Sequence, residues 1–333
     1  MTSTKEKLAC PETEPISSFI LTWDIVPLVG RLCREKGWNP PSQETFELAK
    51  NVITRSLSET FGDSKIILID ADTINIEIER TVLTLKNEKK IPTVTMDPVY
   101  GAVTADYALN TTRGLTDDGS IEEIARPGYP TIGEQIRALS QSLNGKREVY
   151  LVDAGAFSGG SLRTIIELLR SQNVEVKTVT LGFATKEGQR ALWNMGVRPL
   201  VINDIGNPID WVEARDFIPF IPLCGRVIKN SVQPGKLSIA LPYILPEGNP
   251  SDWASIPPQK GNLVSMAGWN ASEMIMKDIQ NRNGITLKLT DFVDLPVRVS
   301  YPGSLIPELT DVLDVINTKR QLVIDSSNKI PNR

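Results

Sequence analysis

The residues best suited to chemistry lie in one segment, where an apolar strand predicted over 148–152 brings an acid to a glycine-rich turn. Asp153 follows the strand, and Ser158-Gly159-Gly160-Ser161 opens a helix whose apolar residues repeat at helical spacing, namely Leu162, Ile165, Ile166 and Leu169. Glycines let successive backbone N–H groups converge, and a helix N-terminus adds unpaired N–H groups and partial positive charge. The pattern predicts a phosphate site, with Asp153 placed to accept hydrogen bonds from sugar hydroxyls.

The 333-residue chain contains no histidine. This absence excludes Ser-His-Asp and Cys-His nucleophilic systems, histidine-ligated zinc and acid–base catalysis by imidazole. The chemistry must then use carboxylates, lysine, backbone amides or a metal that the substrate brings. The three cysteines, at positions 10, 33 and 224, have no zinc-site spacing and indicate reduced thiols.

The composition is typical of a soluble globular protein, with 41% hydrophobic and 23% charged residues. The net charge of −4 argues against a general nucleic-acid-binding surface. The polar first fifteen residues do not predict a signal peptide, and the apolar stretch over 19–32 is too short and too interrupted to span a bilayer. We therefore expect a cytoplasmic protein without a membrane partner.

Apolar periodicity predicts strands alternating with helices, which indicates a mostly parallel sheet with right-handed crossovers. The apolar strand over 65–69 is of the kind that helices cover on both faces. Residues 97–130 are rich in Gly, Pro, Thr and Asp and are predicted to form a long excursion. The predicted helices span 17–36, 42–60, 131–143, 186–194, 272–281 and 307–317, and the further strands span 92–96, 174–181 and 199–202.

The segment around Asp153 resembles the phosphoribosyl-diphosphate motif of type I phosphoribosyltransferases. That motif has four hydrophobic residues, two acids, three variable residues and then Thr-Gly-x-Thr before a helix. Residues 149–152 match the strand, Asp153 matches the first acid, and Ser158-Gly159 and Ser161 match the hydroxyl and glycine positions. The second acid is replaced by Ala154.

The resemblance implies an α/β fold with a mostly parallel sheet flanked by helices, as in a type I phosphoribosyltransferase-like core. It predicts a tail over 1–15, N-terminal helices over 16–64 that form part of a lid, the core over 65–202, a C-terminal hood over 203–325 and a tail over 326–333. Cores of this family often pair, so a homodimer is a candidate state.

The resemblance also implies the site. Asp153 would orient the ribose, a loop would bind phosphoribosyl diphosphate, and Mg²⁺ would arrive with the diphosphate. An earlier loop after a strand would bind pyrophosphate, and the candidate is Asp70, Ala71, Asp72 and Thr73. The predicted phosphoribosyl-diphosphate loop consists of Asp153, Ala154, Gly155, Ala156, Phe157, Ser158, Gly159, Gly160 and Ser161.

The implied function is that of a transferase in nucleotide metabolism, which moves phosphoribose from its diphosphate to a nitrogen nucleophile and releases pyrophosphate. The alternative is a binding or regulatory module that senses a phosphoribosyl compound or nucleotide. Ala154 motivates this alternative, because a missing carboxylate removes a charge-assisted acceptor worth about 1.5–3 kcal/mol.

Other interpretations of the same residues stay open. A Gly-Gly turn between strand and helix also occurs in α/β proteins that bind no phosphate. A dinucleotide site is disfavoured because GxGxxG is absent, and no Gly-Lys-Ser/Thr follows for a P-loop. The run 70–73 also resembles the haloacid dehalogenase nucleophile motif, with its threonine one residue early. Residues 126–129 could belong to a flap over the pocket, or form a plain turn.

Overall fold

The computed structural model describes residues 18–97, 99–115, 120–126, 128–228, 238–292 and 310–328. The described strands are β1 (Ser18–Trp23), β2 (Lys65–Asp70), β3 (Thr93–Thr95), β4 (Tyr107–Ala108), β5 (Thr111–Leu115), β6 (Ile121–Ala125), β7 (Glu148–Ala156), β8 (Glu175–Ala184), β9 (Arg198–Asp204), β10 (Asp210–Glu213), β11 (Arg226–Ile228) and β12 (Ser238–Ala240). The α-helices are α1 (Ile25–Lys36), α2 (Gln43–Phe61), α3 (Ala71–Lys89), α4 (Ile132–Ser142), α5 (Gly160–Ser171), α6 (Lys186–Asn194), α7 (Pro250–Trp253), α8 (Gly261–Asn283) and α9 (Val312–Asn328). Within the described ranges, none of these helices combines the length and apolarity that a membrane crossing requires.

A five-stranded parallel sheet, in the order β4-β3-β7-β8-β9, carries the predicted site segment. Helices cover both faces of β7. Val149 and Leu151 pack with α4 and α5 on one face, whereas Val152 packs with Ile74 and Ile78 of α3 on the other. A strand buried on both faces explains the continuous apolar run before Asp153. The predicted α/β class, with parallel strands flanked by helices, is confirmed.

The predicted helix over 17–36 is wrong in its first third. Residues 18–23 form β1, which pairs in parallel with both β10 and β2, and the helix begins only at Ile25. The residues Phe19 to Trp23 are buried, and a short, fully apolar run is compatible with either a buried strand or a buried helix. Pairing with β10, almost two hundred residues away, decided the outcome.

β2 differs from its prediction in a related way. It is an edge strand of the three-stranded sheet β10-β1-β2, and Lys65, Leu68 and Asp70 are exposed. The expectation that this strand is covered on both faces is therefore wrong. Because β2 pairs with β1, sheet pairing crosses the predicted boundary at residue 65, and the proposed division into domains stays a prediction.

The N-terminal helices and the C-terminal third share one apolar core. Side chains of β1, α1 and α2 pack with those of α8 and α9, and Trp269 of α8 is fully buried among them. A polar contact fixes the start of α2, because Asp278 Oδ2 accepts from the Ser42 backbone N–H at 2.7 Å and from Thr45 Oγ1 at 2.9 Å. The two segments predicted to form the lid are thus one packed unit.

The predicted excursion over 97–130 contains part of a third sheet. β5 and β6 pair antiparallel, β11 lies parallel to β5, and β12 lies antiparallel to β11.

The bounds of two predicted helices also change: α8 is longer than the helix expected over 272–281, and α9 ends well beyond residue 317. Residues 307–309 of that last predicted helix, and most of the two predicted tails, lie outside the described residues.

Close packing of α6 against β7 makes Gly188 a testable position. A Cβ at Gly188 would lie 2.5 Å from the carbonyl oxygen of Ala156, whereas a Cβ at Gly133, also in the first turn of a helix, would meet nothing within 4 Å. We expect Gly188→Ala to lower the free energy of unfolding by about 1–3 kcal/mol, because the backbone must shift. Gly133→Ala, the matched control, should raise it by about 0.5–1 kcal/mol. Urea denaturation measures both, and equal effects would contradict this packing.

Candidate functional site

A cavity of about 590 Å³ lies beyond the carboxyl ends of β7 and β10. The whole predicted loop, residues 153–161, lines it, together with residues 111–113 and 121–123 of the third sheet and residues 210–213 next to β1. Ligands of open parallel sheets bind at this end of the strands, and the volume suits a small organic molecule. The structure therefore places the predicted loop in the wall of a ligand-sized cavity.

The glycine-rich turn is shorter than its sequence suggests. β7 continues to Ala156, so only residues 157–159 connect it to α5. Gly159 has a φ of 76°, in the left-handed region that favours glycine. Gly155, by contrast, belongs to the strand, and a Cβ there would lie 2.6 Å from the Phe183 ring. Gly155 is therefore required for close packing against β8, a role that the motif does not reveal.

The start of α5 presents unpaired backbone donors. The first hydrogen bond across this start joins the Arg163 N–H to the Gly159 carbonyl at 2.9 Å. The preceding amides, at residues 158–162, donate to no acceptor within the described parts of the chain. Ser158 and Gly160 are exposed, so their amides can be reached from solvent. Five free N–H groups at the positive end of a helix form a site for an anion.

Two carboxylates from neighbouring strands meet at this site. β3 pairs with β7, with Thr95 opposite Val152, so Asp97 and Asp153 leave adjacent strands at the same edge. Asp97 Oδ1 accepts from the backbone N–H of Val99 at 2.7 Å, which fixes its side chain. Burial raises the pKa of Asp153 well above its ordinary value, and the nearby Asp97 raises it further. Asp153 therefore needs a cation or hydrogen-bond donors before it ionises readily.

The position of the missing second acid is buried. Ala154 is 5% exposed and packs in the apolar cluster that contains Ile74 and Phe183. A carboxylate there would have to leave water without a cation to pair with in that cluster. Asp97, from the adjacent strand, is the second carboxylate beside Asp153, and sequence reasoning missed it. The signal was present, since Asp97 follows a predicted strand as directly as Asp153 does.

A buried ion network forms the floor of the cavity around Arg215. Its Nε lies 3.3 Å from Asp24 Oδ2, its Nη2 lies 3.7 Å from Asp97 Oδ2, and the same nitrogen donates to Glu213. Three carboxylates thus surround one guanidinium. Burial raises the pKa of Asp24 and that of Glu213, while the carboxylates raise the pKa of Arg215. Nothing local in the sequence connects these residues, because three separate chain segments supply them.

Arg226 belongs to a second buried ion group, in the wall of the same cavity. It is 9% exposed, and its Nη2 donates to Asp216 Oδ2 at 3.0 Å and to Tyr243 Oη at 2.6 Å. Its guanidinium also lies 4.9 Å from the centre of the Tyr243 ring. The pairing satisfies a charge that burial would otherwise disfavour. Cys224, close by in the chain, is a buried free thiol.

Arg126 is a cation at the cavity wall. Its Nε is buried and has no hydrogen-bond partner among the described residues. Burial lowers the pKa of Arg126, and the carboxylates of Asp97 and Asp153 are close enough to counteract part of that effect. Of the predicted flap over 126–129, Pro127 lies outside the described residues and Tyr129 is exposed, so the flap stays a prediction.

The structure does not bring Asp70–Thr73 to this cavity. None of these four residues lines it. Asp70 instead caps α3, because its Oδ1 accepts from the backbone N–H of Asp72 at 3.0 Å and of Thr73 at 3.2 Å. Ala71 is fully buried. The predicted pyrophosphate loop therefore connects β2 of the three-stranded sheet to the start of α3.

Comparison with known proteins adds little beyond this geometry. No protein-family model matches the sequence, and no curated protein matches it. The chain is similar to the orotate phosphoribosyltransferase of Aeropyrum pernix, with 20% identity over 40% of this chain and 70% of that one and a TM-score of 0.25. It is similar to the orotate phosphoribosyltransferase of Mycobacterium tuberculosis H37Rv in complex with 5-phospho-α-D-ribosyl 1-diphosphate, with 16% identity over 49% of this chain and 90% of that one and a TM-score of 0.25. It is also similar to a phosphoribosyltransferase of Corynebacterium diphtheriae, with 16% identity over 49% of this chain and 97% of that one and a TM-score of 0.26. With TM-scores below 0.5, these likenesses do not assign the chain to a family.

The ion network predicts a large effect of removing the guanidinium of Arg215. Arg215→Met leaves three carboxylates without their guanidinium, so we expect the free energy of unfolding to fall by about 3–5 kcal/mol. Arg31→Met is the control, because the Arg31–Glu35 pair is 54% exposed on both sides and should contribute less than about 1 kcal/mol. Thermal or urea unfolding compares the variants. A loss at Arg215 as small as that at Arg31 would show that the network does not hold the fold together.

Proposed function

We propose that this chain binds a phosphoribosyl compound in the cavity and acts as a phosphoribosyltransferase. The observation that carries the proposal is the set of five unpaired amides over 158–162, at the start of α5, in the same cavity wall as the Asp153 carboxylate. The carboxylate lies near the carboxyl end of β7, and the anion-binding amides lie at the start of the helix that follows. Together they match a molecule that joins a phosphate to a hydroxylated sugar.

The binding mode follows from the charges of the wall. The 5-phosphate would accept hydrogen bonds from the turn over 157–161, and the ribose hydroxyls would donate to Asp153 and Asp97. Arg126, whose Nε–H has no acceptor among the described residues and which Asp97 and Asp153 both influence, would contact the diphosphate. This assignment replaces the loop over 70–73, which lies elsewhere, with groups that line the cavity.

Asp97 and Asp153 also suit a magnesium ion that arrives with the diphosphate. Magnesium prefers oxygen ligands and is commonly held by one or two carboxylates together with substrate phosphates. Within the described residues, no group of three or more His, Cys, Asp or Glu is arranged to hold a metal ion by itself. When bound, the ion would offset the charge of the diphosphate and of the two carboxylates.

The reaction would break the bond between ribose C1 and the diphosphate oxygen and form a bond between C1 and a nitrogen. Pyrophosphate leaves with the bonding electron pair, and the nitrogen releases one proton. Asp153 and the turn would hold the ribose phosphate, and the nitrogen nucleophile would occupy the remaining space of the cavity. Holding both reactants in this way lowers the entropic part of the barrier. The homodimer that the resemblance implies stays a prediction.

The alternative function, a binding module without turnover, rests on Ala154. Because that position is buried in an apolar cluster, the protein has kept a packed strand where the motif has a second acid. A pyrophosphate-release assay with phosphoribosyl diphosphate, Mg²⁺ and a panel of nitrogen bases separates the two functions. Release with at least one base supports the transferase. Saturable binding of phosphoribosyl diphosphate without release supports the module.

We expect Asp153→Asn to weaken the binding of ribose 5-phosphate, measured by calorimetry with Mg²⁺, by about 10- to 100-fold. The amide keeps the shape but loses a charged acceptor, which is worth about 1.5–3 kcal/mol. Asp70→Asn is the matched control, because Asp70 also follows a strand and caps a helix but does not line the cavity. Equal affinities of Asp153→Asn and the wild type would remove the proposed role of Asp153.

The pH dependence of binding supplies a second control. Burial raises the pKa of Asp153, so the free protein holds its proton to higher pH than an exposed aspartate does, and ligand hydroxyls must displace it. The affinity of the wild type should therefore increase as the pH rises, beyond the increase due to the phosphate itself. Asp153→Asn should retain only the phosphate part. Identical pH profiles would show that Asp153 does not titrate on binding.

A further inference from the structure

A second and smaller cavity, of about 320 Å³, lies at the other end of the five-stranded sheet. Pro92, directly before β3, lines this second cavity, whereas Asp97, two residues after β3, lines the first. The second cavity therefore opens at the amino ends of the strands. Because three lysines and one acid line it, we call it the lysine cavity.

The acid neutralises one of the three lysines. Lys86 Nζ lies 2.7 Å from Asp106 Oδ1 and donates to the Thr104 carbonyl oxygen at 2.9 Å. Lys90 and Lys146 have no carboxylate partner in the part of the chain that the structure describes, and Lys146 Nζ donates to the Lys90 carbonyl oxygen at 3.2 Å. The lysine cavity thus carries two positive charges that no acid in its wall balances.

The charge of a helix end explains these lysines only in part. Basic residues near a helix C-terminus commonly offset its partial negative charge, and Lys86 and Lys89 lie in the last turn of α3. Lys146, however, comes from the connection between α4 and β7. The neighbouring acids in the chain, Glu88 and Glu148, do not line the cavity. Two separate segments thus bring lysine side chains to one concave surface.

The backbone adds a hydrogen-bond donor beside the lysines. Ile91 lines the cavity, and its N–H has no acceptor among the described residues. Lys90 ends α3 with a φ of 55°, in the left-handed region that favours glycine, so its side chain is kept there at a conformational cost. Tyr107 supplies an apolar wall, and its Oη donates to the Ser142 carbonyl oxygen at 3.2 Å, which fixes the ring.

We propose that the lysine cavity binds a phosphate group, free or as part of a small phosphate ester, with Lys90, Lys146 and the Ile91 N–H as donors. An esterified phosphate carries about 1.5 to 2 negative charges near neutral pH and offers several acceptor oxygens, which matches two ammonium groups and one amide. The Tyr107 ring would contact the organic part of an ester. This site does not depend on the proposed function, because the two cavities share no lining residue.

The Ile91 amide reports directly on this site. In protein labelled with ¹⁵N-isoleucine, the Ile91→Val variant identifies the Ile91 signal by its loss. Titration with sodium phosphate should shift that signal saturably, whereas sodium chloride of equal ionic strength should not. Phenyl phosphate distinguishes the two sources, because binding tighter than that of phosphate indicates an ester and equal binding indicates free phosphate. An Ile91 signal that does not move, or that chloride moves equally, would overturn the proposal.

Variants of the lysines separate binding from folding. Lys90→Gly and Lys146→Gln should each weaken phosphate binding at least about fivefold, because each removes a charge-assisted donor. Lys90→Gly should not lower the melting temperature, because the φ at this position favours glycine, so its loss of binding cannot come from unfolding. Lys89→Gln is the matched control, since Lys89 lies at the same helix end but does not line the cavity. Undiminished affinity in both cavity variants, or an equal loss in Lys89→Gln, would contradict the assignment.

The two phosphate sites can be told apart in one sample. Gly160 lies in the wall of the first cavity, and a ¹⁵N-glycine label makes its amide visible beside that of Ile91. On titration with phosphate and with ribose 5-phosphate, an Ile91 shift without a Gly160 shift supports the lysine cavity and removes the proposed function. A Gly160 shift without an Ile91 shift supports the proposed function and removes the lysine cavity as a phosphate site.

Discussion

The charge balance around Arg215 is the constraint on which the rest of the structure depends. One guanidinium joins Asp24 at the end of β1, Asp97 at the end of β3 and Glu213 at the end of β10. These strands belong to two different parallel sheets, so the network holds the carboxyl ends of both sheets against one cavity. Burying four ionisable groups together is costly unless each is paired, and the geometry therefore tolerates little movement.

The cavity inherits its character from that junction. Its first half is the free amide row at the start of α5, which attracts an anion, together with the carboxylates of Asp97 and Asp153. Its other walls carry Trp211, Tyr243 and Trp253 and the buried ion pairs of Arg215 and Arg226.

The raised pKa of Asp153 makes the binding of a ligand at this carboxylate dependent on pH. Burial raises the pKa of Asp153, and the nearby Asp97 raises it further. A bound phosphate needs no such change, because backbone amides carry no titratable charge. Ligand hydroxyls that bind Asp153 would therefore displace its proton, whereas the amides that face a phosphate have no proton to release.

Local sequence determined the parts of this protein that depend on neighbours in the chain. The apolar run before Asp153, the glycine turn and the amphipathic α5 follow from periodicity and backbone freedom, and Ser42 and Thr131 cap the helices that follow them. Tertiary structure alone decided which strand ends meet. Asp24 and Glu213 show no sign of a shared site in the sequence, and the apolar run of β1 is equally compatible with a helix. Asp24, Asp97 and Glu213 meet at one buried guanidinium only when parallel pairing joins distant segments, because burial and charge compensation are properties of the assembled fold.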